Sequence, residues 1–347
     1  MLLKLAFIGF GNVARAFSRV LAERRSTLSG KYDLEVKTTA IATANHGCVL
    51  STGGLDLVKA AELSEQGGSL ATLADSLPVS NPLELIERCD ADVLFETTTL
   101  NIVDAQPGLD HIRAALNRGI QVVTANKGPI AFAYDELKSL AAKNSRCFFF
   151  EGTVMDGAPV FNLVSQCLPA TRVLGFSGIL NSTSNLILTE MESGMSFEDA
   201  LAEAQSRGIA EANADYDIDG WDAAVKAVVL SNVLIGGYVH PSHVARQGIR
   251  SVTANDLSAA ARFGKSIRQI ARSTRTSEGK IKITVTVEEV PVTSALGSVR
   301  GTSNVLLLET DLMGEIGIVE NDPGVQQTAY ALLSDLLRIR EGLDSRH

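Results

Sequence analysis

An α/β fold, a doubly wound parallel sheet followed by a second, α+β domain, is predicted from three observations. Short apolar runs alternate with helix-period segments through about the first 150 residues, and a glycine-containing turn joins the first run to the first helix. Beyond about residue 151 the rhythm changes to amphipathic helices mixed with alternating strands. Composition agrees: 45% hydrophobic, 20% charged, 29 Gly and only 9 Pro are the proportions of an ordinary globular enzyme. At roughly 150 residues per domain, 347 residues predict two domains, each able to bury a core.

Taken in order, residues 4–8 read as a buried strand, and a helix runs from the glycine turn to about Arg24, with Phe17, Val20 and Leu21 on one face. Strands are expected at 34–42, 91–95, 121–125 and 147–150, with helices at 108–117 and 134–143 between the later ones. In the second half, strands are expected at 173–180, 280–289 and 304–310. Helices are expected there at 185–192, 196–207, 222–234 and 328–338. Domain limits follow at 1–135, 136–315 and 316–347, the last a segment whose helix packs back on the first domain.

The formal net charge of −9 and the lack of a long Lys/Arg run argue against nucleic acid. Basic clusters at 15–25 and 262–275 read as solvated helix faces. Four scattered cysteines without a CxxC pair read as free thiols of a reducing cytoplasm. His240 and His243 lack an acidic or cysteine partner at zinc spacing. The opening apolar run is broken by Gly9 and Gly11, too early for a signal peptide or a membrane span, so a soluble cytoplasmic protein is expected.

Gly9-Phe10-Gly11-Asn12-Val13-Ala14 lies directly between strand and helix. Such a turn lets a pyrophosphate approach the backbone and sit at the positive helix N-terminus, which makes the first domain Rossmann-type and dinucleotide-binding. Ala14 fills the third glycine's place, as the fingerprint permits. The second strand ends Ala42-Thr43-Ala44-Asn45-His46-Gly47 without the carboxylate that would bond a ribose 2′-OH, a lean toward NADP, although no arginine is adjacent to clamp a 2′-phosphate. Glu96-Thr97-Thr98-Thr99 and Asn126-Lys127-Gly128 stand at the carboxyl ends of parallel strands, where open α/β sheets bind ligands.

The segment 210–230 packs Glu211, Asp215, Asp217, Asp219 and Asp222 ahead of an apolar helix. Asp222 and Lys226, four apart, share a helix face. A surface capping cluster would account for the acids, but a lysine among Ala223, Ala224, Val225, Ala227, Val228 and Val229 needs a partner and a purpose.

Glu211, Asp217, Gly220, Asp222 and Lys226 resemble the signature of the homoserine dehydrogenase family. Similar stretches are GFGNVA at 9–14, VVTANKGPIA at 122–131, EGTVMDGAP at 151–159, GILNSTSNLIL at 178–188 and RGTSNVLLLETDLMGE at 300–315. Thus the likeness covers nearly the whole chain. It implies that Gly9, Phe10, Gly11, Asn12, Val13 and Gly324 serve the cofactor, NADP or NAD, with Thr97, Thr98 and Lys127 near its nicotinamide end. It implies that Glu211 and Asp222 hold the substrate, the glutamate through its ammonium group, together with Asp217, Asn181 and Thr183. Lys226 is implied as the general acid–base, with Asp222 and Lys127 beside it in the catalytic set. The backbone carbonyls of Glu151, Val154, Asp156 and Ala158 resemble a sodium site of some members.

Departures are Ser182 where the family has glycine, and Glu320-Asn321-Asp322-Pro323-Gly324 where it has a glycine-rich loop. No aspartokinase half or C-terminal regulatory domain is expected, so threonine should inhibit only weakly, at the substrate site. The reaction implied is reversible hydride transfer between L-homoserine and L-aspartate 4-semialdehyde, on the route to threonine, isoleucine and methionine, by a homodimer joined through the second domain's sheet. Two alternatives are a paralogue acting on another small hydroxy- or amino-aldehyde and a non-catalytic nucleotide-binding regulator.

Overall fold

The structure, a computed structural model, describes residues 1–73 and 75–344. The chain divides into two compact units: Met1–Gly157 together with the chain from Gly324 onward, and Ala158–Pro323.

In the first unit the elements run β1 (Leu2–Ile8), α1 (Asn12–Glu23), α2 (Arg25–Tyr32), β2 (Glu35–Ala42), β3 (Cys48–Leu50), α3 (Leu57–Glu65), β4 (Leu77–Val79) and α4 (Pro82–Arg88). Then come β5 (Val93–Glu96), α5 (Gly108–Asn117), β6 (Gln121–Thr124), α6 (Lys127–Lys143) and β7 (Phe148–Phe149). The sheet order is β4-β3-β2-β1-β5-β6-β7. The five strands from β2 to β7 are parallel, whereas β3 and β4 pair antiparallel. This antiparallel edge and α3 and α4 lie in residues 43–90, a stretch in which the periodicity predicted no element. Its strands are three residues long, too short for alternation to show.

Strand β1 explains why its sequence is apolar at nearly every position. Leu3, Leu5 and Phe7 face one core and Ala6 and Ile8 the other, as the two-residue period of a strand covered on both faces requires. Phe7 stacks on Phe95 across the parallel register at 5.1 Å, and Phe17 of α1 tilts onto Phe95 at 4.8 Å. Such aromatic pairs contribute roughly 0.5–1.5 kcal/mol each beyond area burial. Ala329, Leu332, Leu336 and Ile339 enter the same core from the C-terminal helix α14, which spans Val325–Asp344. Pairing of β7 with β6 carries this unit past 135, to Gly157.

The second unit contains the single turn α7 (Val160–Asn162), β8 (Val173–Ile179), α8 (Ser182–Glu192), α9 (Phe197–Ser206), the short α10 (Asp215–Ile218) and α11 (Trp221–Leu230). It continues with β9 (Ala245–Arg246), α12 (Ala254–Arg262), β10 (Lys265–Arg275), β11 (Ile281–Pro291), α13 (Ala295–Ser298), β12 (Asn304–Thr310) and β13 (Gly314–Glu320). Its sheet order is β13-β12-β8-β10-β11-β9. The helix expected over 222–234 gives way after Leu230 to one π-type turn, Ser231–Ile235.

Strand β10 corrects the reading of 262–275 as a solvated helix face. Only Arg262 ends a helix, while Lys265–Arg275 pairs with β11 and the stretch Ala271–Thr274 also with β8. The positive charges misled because they are paired. Arg268 is 0% exposed and bonds Glu192 at 2.7 Å and the Val299 carbonyl at 3.2 Å, and Arg272 bonds Glu288 at 2.8 Å. A guanidinium so bonded can occupy a strand interior that an unpaired charge could not.

Candidate active site

Each unit presents its own constellation. In the nucleotide unit, β1 ends at Ile8 and Gly9 turns the chain with φ +84°. A Cβ at Gly9 would lie 2.6 Å from the Thr97 carbonyl, so only glycine fits where the two strand ends meet. The Thr97 hydroxyl donates to the Gly9 carbonyl at 2.7 Å, tying the turn to the end of β5. At Gly11 a Cβ would meet nothing within 4 Å. Gly11 caps α1 without a side-chain hydrogen bond, and the first turn carries no acid. The first turn of this twelve-residue helix thus has neither a side-chain cap nor an acid, with room beside Gly11, which are the features a pyrophosphate cradle needs.

Phe10 is buried, packed edge-on against Phe7 at 5.7 Å, so its side chain anchors the turn and only its backbone is left to face a cofactor. Asn12 is exposed and accepts from Arg15 at 2.5 Å, and Val13 is half-buried. Beyond β2, Thr43 closes a short loop by accepting from the His46 N–H at 2.7 Å, and the loop carries no carboxylate. Gly324 is exposed just ahead of α14.

At the ends of β5 and β6, Thr97 and Thr98 are half-buried, as is Lys127, the first residue of α6. Asn126 caps α6 by accepting from the Gly128 N–H at 3.0 Å. The turn Glu151–Thr153 follows β7. There the Glu151 N–H donates to Asp335 of α14 at 2.9 Å, and Thr328 donates to Asp156 at 2.7 Å. Burial, with a further push from the Glu151 carboxylate, raises the Asp335 carboxyl to about 8, and its Oδ1 has no hydrogen-bond partner among the described residues.

In the second unit, Asn181 joins two of the predicted residues, Asp217 and Asp222. Its Oδ1 caps α8 by accepting from the Ser184 N–H at 2.8 Å, while its Nδ2 donates to Asp217 at 2.7 Å and to Asp222 at 3.0 Å. Gly220, at φ +79°, turns the chain into α11 and sets Asp222 in the first helical turn. Lys226, one turn on, lies 3.0 Å from Asp222 Oδ2 and donates to the Leu180 carbonyl at 2.7 Å. With Asp222 6% exposed, the pair is largely desolvated. Two carboxylates thus share one amide, Asp217 and Asp222 on Asn181 Nδ2, an acidic arrangement that suits a cationic substrate group.

Thr183 is buried with its hydroxyl on the Ile209 carbonyl at 3.3 Å. Glu211 is exposed on the loop before α10, with no side-chain hydrogen bond to Asn181, Asp217, Asp222 or Lys226 among the described residues. Asp215 and Asp219 are engaged on the surface by Arg250. Ser182, the departure from glycine, accepts from Asn304 at 3.1 Å.

Sequence reasoning missed Tyr216. Its hydroxyl is buried without a partner among the described residues. Burial, then the Asp222 and Asp217 charges, push the phenol up, so it stays a neutral donor beside the acidic pair. Its place inside the acidic signature was the one available signal. No group of three or more His, Cys, Asp or Glu poised for a metal occurs among the described residues.

An uncapped glycine turn on a parallel sheet in one unit and a buried lysine–carboxylate pair in the other define a dinucleotide-dependent oxidoreductase. Comparison with known proteins gives the particular family. Residues 9–151 match the model described as the NAD binding domain of homoserine dehydrogenase, and residues 159–337 match the homoserine dehydrogenase model. The NAD(+)-dependent homoserine dehydrogenase of Pseudomonas canavaninivorans is 36% identical over 338 residues, covering 97% of this chain and 96% of its own. The homoserine dehydrogenase of Methanocaldococcus jannaschii is 37% identical, covering 96% and 98%. A hyperthermophilic archaeal homoserine dehydrogenase solved in complex with NADPH superposes with a TM-score of 0.82 at 30% identity, covering 99% and 98%. The chain belongs to the homoserine dehydrogenase family and is an NAD(P)-dependent oxidoreductase.

Proposed function

We propose that this enzyme interconverts L-homoserine and L-aspartate 4-semialdehyde with Lys226 as the proton-transfer residue. The observation that carries this reading is the desolvated Lys226–Asp222 pair at 3.0 Å, with Lys226 also pinned on the Leu180 carbonyl. Bound NAD(P) supplies the hydride acceptor or donor. Oxidation of the alcohol to the aldehyde also releases a proton from the hydroxyl oxygen, and reduction must return one. Lys226 accepts and delivers it. Asp222, fixed by Asn181, orients that lysine and, with Asp217, draws the substrate ammonium. Glu211 reaches the same ammonium on this reading, from an exposed position free to move.

The α1 cradle and the Thr97–Gly9 tie hold the dinucleotide, with Thr98 and Lys127 at its nicotinamide end. NADP is preferred or equalled because the loop after β2 has no carboxylate to repel a 2′-phosphate. A sodium ion on the carbonyls of Glu151, Val154, Asp156 and Ala158 is part of the proposal, supported by the orphaned Asp335 Oδ1 beside that turn. A homodimer is proposed as well. Leu312, Met313 and Val319, on and beside β13, expose apolar surface that self-association would cover. A native mass of twice 36.8 kDa would agree with it. Four cysteines without a disulfide support a reducing, cytoplasmic setting.

Steady-state oxidation of L-homoserine with NAD+ and NADP+ in parallel tests the reading. Turnover of homoserine well above that of other short amino alcohols supports it, and a preference for another alcohol would point to the paralogue.

A further inference from the structure

Tyr216 stands on the single turn α10, between Asp215 and Asp217. That turn is held on both sides. Arg250 engages Asp215 and, at 3.3 Å, Asp219, while the Ser184 hydroxyl of α8 donates to the Asp217 carbonyl at 3.0 Å. The tyrosine backbone is therefore fixed beside the corner where Asn181 gathers Asp217 and Asp222. Its ring is half-buried, but its hydroxyl oxygen is buried and has no hydrogen-bond partner among the described residues. After burial itself, Asp222 raises the phenol more than Asp217 does, although Asp217 is next to it in the chain. The hydroxyl end thus lies toward the Asp222–Lys226 pair.

A buried hydroxyl without a partner is costly, and phenylalanine would fill the same space without that cost. The group whose arrival would complete it is the substrate. Homoserine brings three polar groups. Its ammonium only donates, and would leave the phenol's own hydrogen unpaired. Its carboxylate would be a third acid beside Asp217 and Asp222, a poor neighbourhood for it. The γ-oxygen remains, and it must come to Lys226 if that lysine carries the proton. An alcohol or aldehyde oxygen accepts readily from a phenol.

We propose that Tyr216 is a catalytic residue whose hydroxyl donates a hydrogen bond to the reacting oxygen of homoserine and of its aldehyde. The inference rests on the reading that homoserine is the substrate and Lys226 its proton carrier. Tyr216 keeps its own proton throughout. In oxidation the substrate hydroxyl proton passes to Lys226, in reduction it returns from there, and the phenol holds the oxygen in place meanwhile. Negative charge develops on that oxygen between aldehyde and alcohol, so the hydrogen bond is stronger in the transition state than in either ground state.

The test pairs Tyr216→Phe with removal of the same oxygen from the ligand. L-2-Aminobutyrate is homoserine without its γ-oxygen, and the NADPH complex can bind homoserine without oxidising it. Dissociation constants of both ligands are measured on the NADPH complexes of wild type and variant, with kcat for homoserine and the thermal midpoint alongside. Tyr216→Phe should weaken homoserine by about three- to ten-fold, the scale of one neutral hydrogen bond, and leave L-2-aminobutyrate at its wild-type value. The variant's kcat should fall by about ten- to a hundredfold, less than the loss of a full oxyanion donor because Lys226 remains. Its thermal midpoint should hold or rise, since an orphaned buried hydroxyl has been removed. Equal weakening of both ligands would assign the hydroxyl to the ammonium, the carboxylate or the fold, and overturns the proposal. Wild-type affinity and kcat for homoserine in the Phe variant overturn it too, and leave the substrate reading standing. A wild type that does not oxidise L-homoserine brings down the substrate reading, and this inference with it.

Discussion

The acceptors that hold Lys226 include two of different kinds, a charge on its own helix and the carbonyl of Leu180 just after β8. The carbonyl fixes where the nitrogen sits, and Asp222 fixes the charge around it. Replacing the lysine removes the proton carrier while leaving the nucleotide cradle untouched. Lys226→Ala should therefore lower kcat by roughly 10²–10⁴-fold, the usual share of a positioned general acid–base, with the NADPH dissociation constant nearly unchanged. Retention of more than about a tenth of wild-type kcat by the folded variant would transfer the role to Lys127. Asp222→Asn should raise KM and lower kcat together, because it disturbs both the substrate ammonium and the lysine. The i,i+4 spacing made this pair legible in the sequence, since a helix places such residues side by side. Asn181 and Tyr216 were less legible. Asn181 reaches Asp222 across 41 positions, and a tyrosine with an orphaned hydroxyl looks like any other until its surroundings are known.

Among the elements, α14 carries a load out of proportion to its place at the end of the chain. Leu332, Leu336 and Ile339 lie in the core with Phe7, Phe17 and Phe95, so the first unit is closed by residues more than 300 positions from β1. Leu336→Ala should cost about 2–5 kcal/mol, the range for emptying a fully buried leucine site. Denaturant titration in which cofactor binding fails earlier, while the second unit keeps its midpoint, would show it. The loop after β2 carries the nucleotide preference. Ala44→Asp should shift kcat/KM toward NAD by repelling a 2′-phosphate, and a wild type strongly selective for NAD would contradict the premise. Helix periodicity exposed the helices of ten or more residues, whose apolar faces repeat often enough to be read, and missed shorter ones such as α3 and α12. It failed at β3 and β4, which are too short, and at β10, where Arg268 and Arg272 hide their partners in Glu192 and Glu288. Charge alone could not separate a paired interior arginine from a solvated one.

For the whole molecule, the division of labour between units was legible because a parallel-sheet rhythm and an α+β rhythm differ in kind. The end of the first unit was not, because β7 is two residues long and the next turn is secured by Asp335 from far along the chain. That division has a measurable consequence. A ligand that binds the native state stabilises the segments it holds by RT ln(1 + [L]/Kd), about 2.7 kcal/mol at a hundredfold excess over Kd. In hydrogen exchange, NADPH alone should therefore protect residues 9–14, 97–99 and 124–128, where the uncapped α1 turn, the Thr97–Gly9 tie and the Asn126 cap sit. Homoserine alone should protect 180–184 and 217–226, where Leu180, Asn181, Asp217, Asp222 and Lys226 meet. Glu211 supplies the discriminating segment. Now exposed and unbonded to that cluster, it should gain protection with homoserine and none with NADPH, because only an ammonium gives it a reason to become ordered. Protection of 205–214 by the cofactor alone would show that this loop answers to the nucleotide, and the assignment of Glu211 to the substrate would then be wrong.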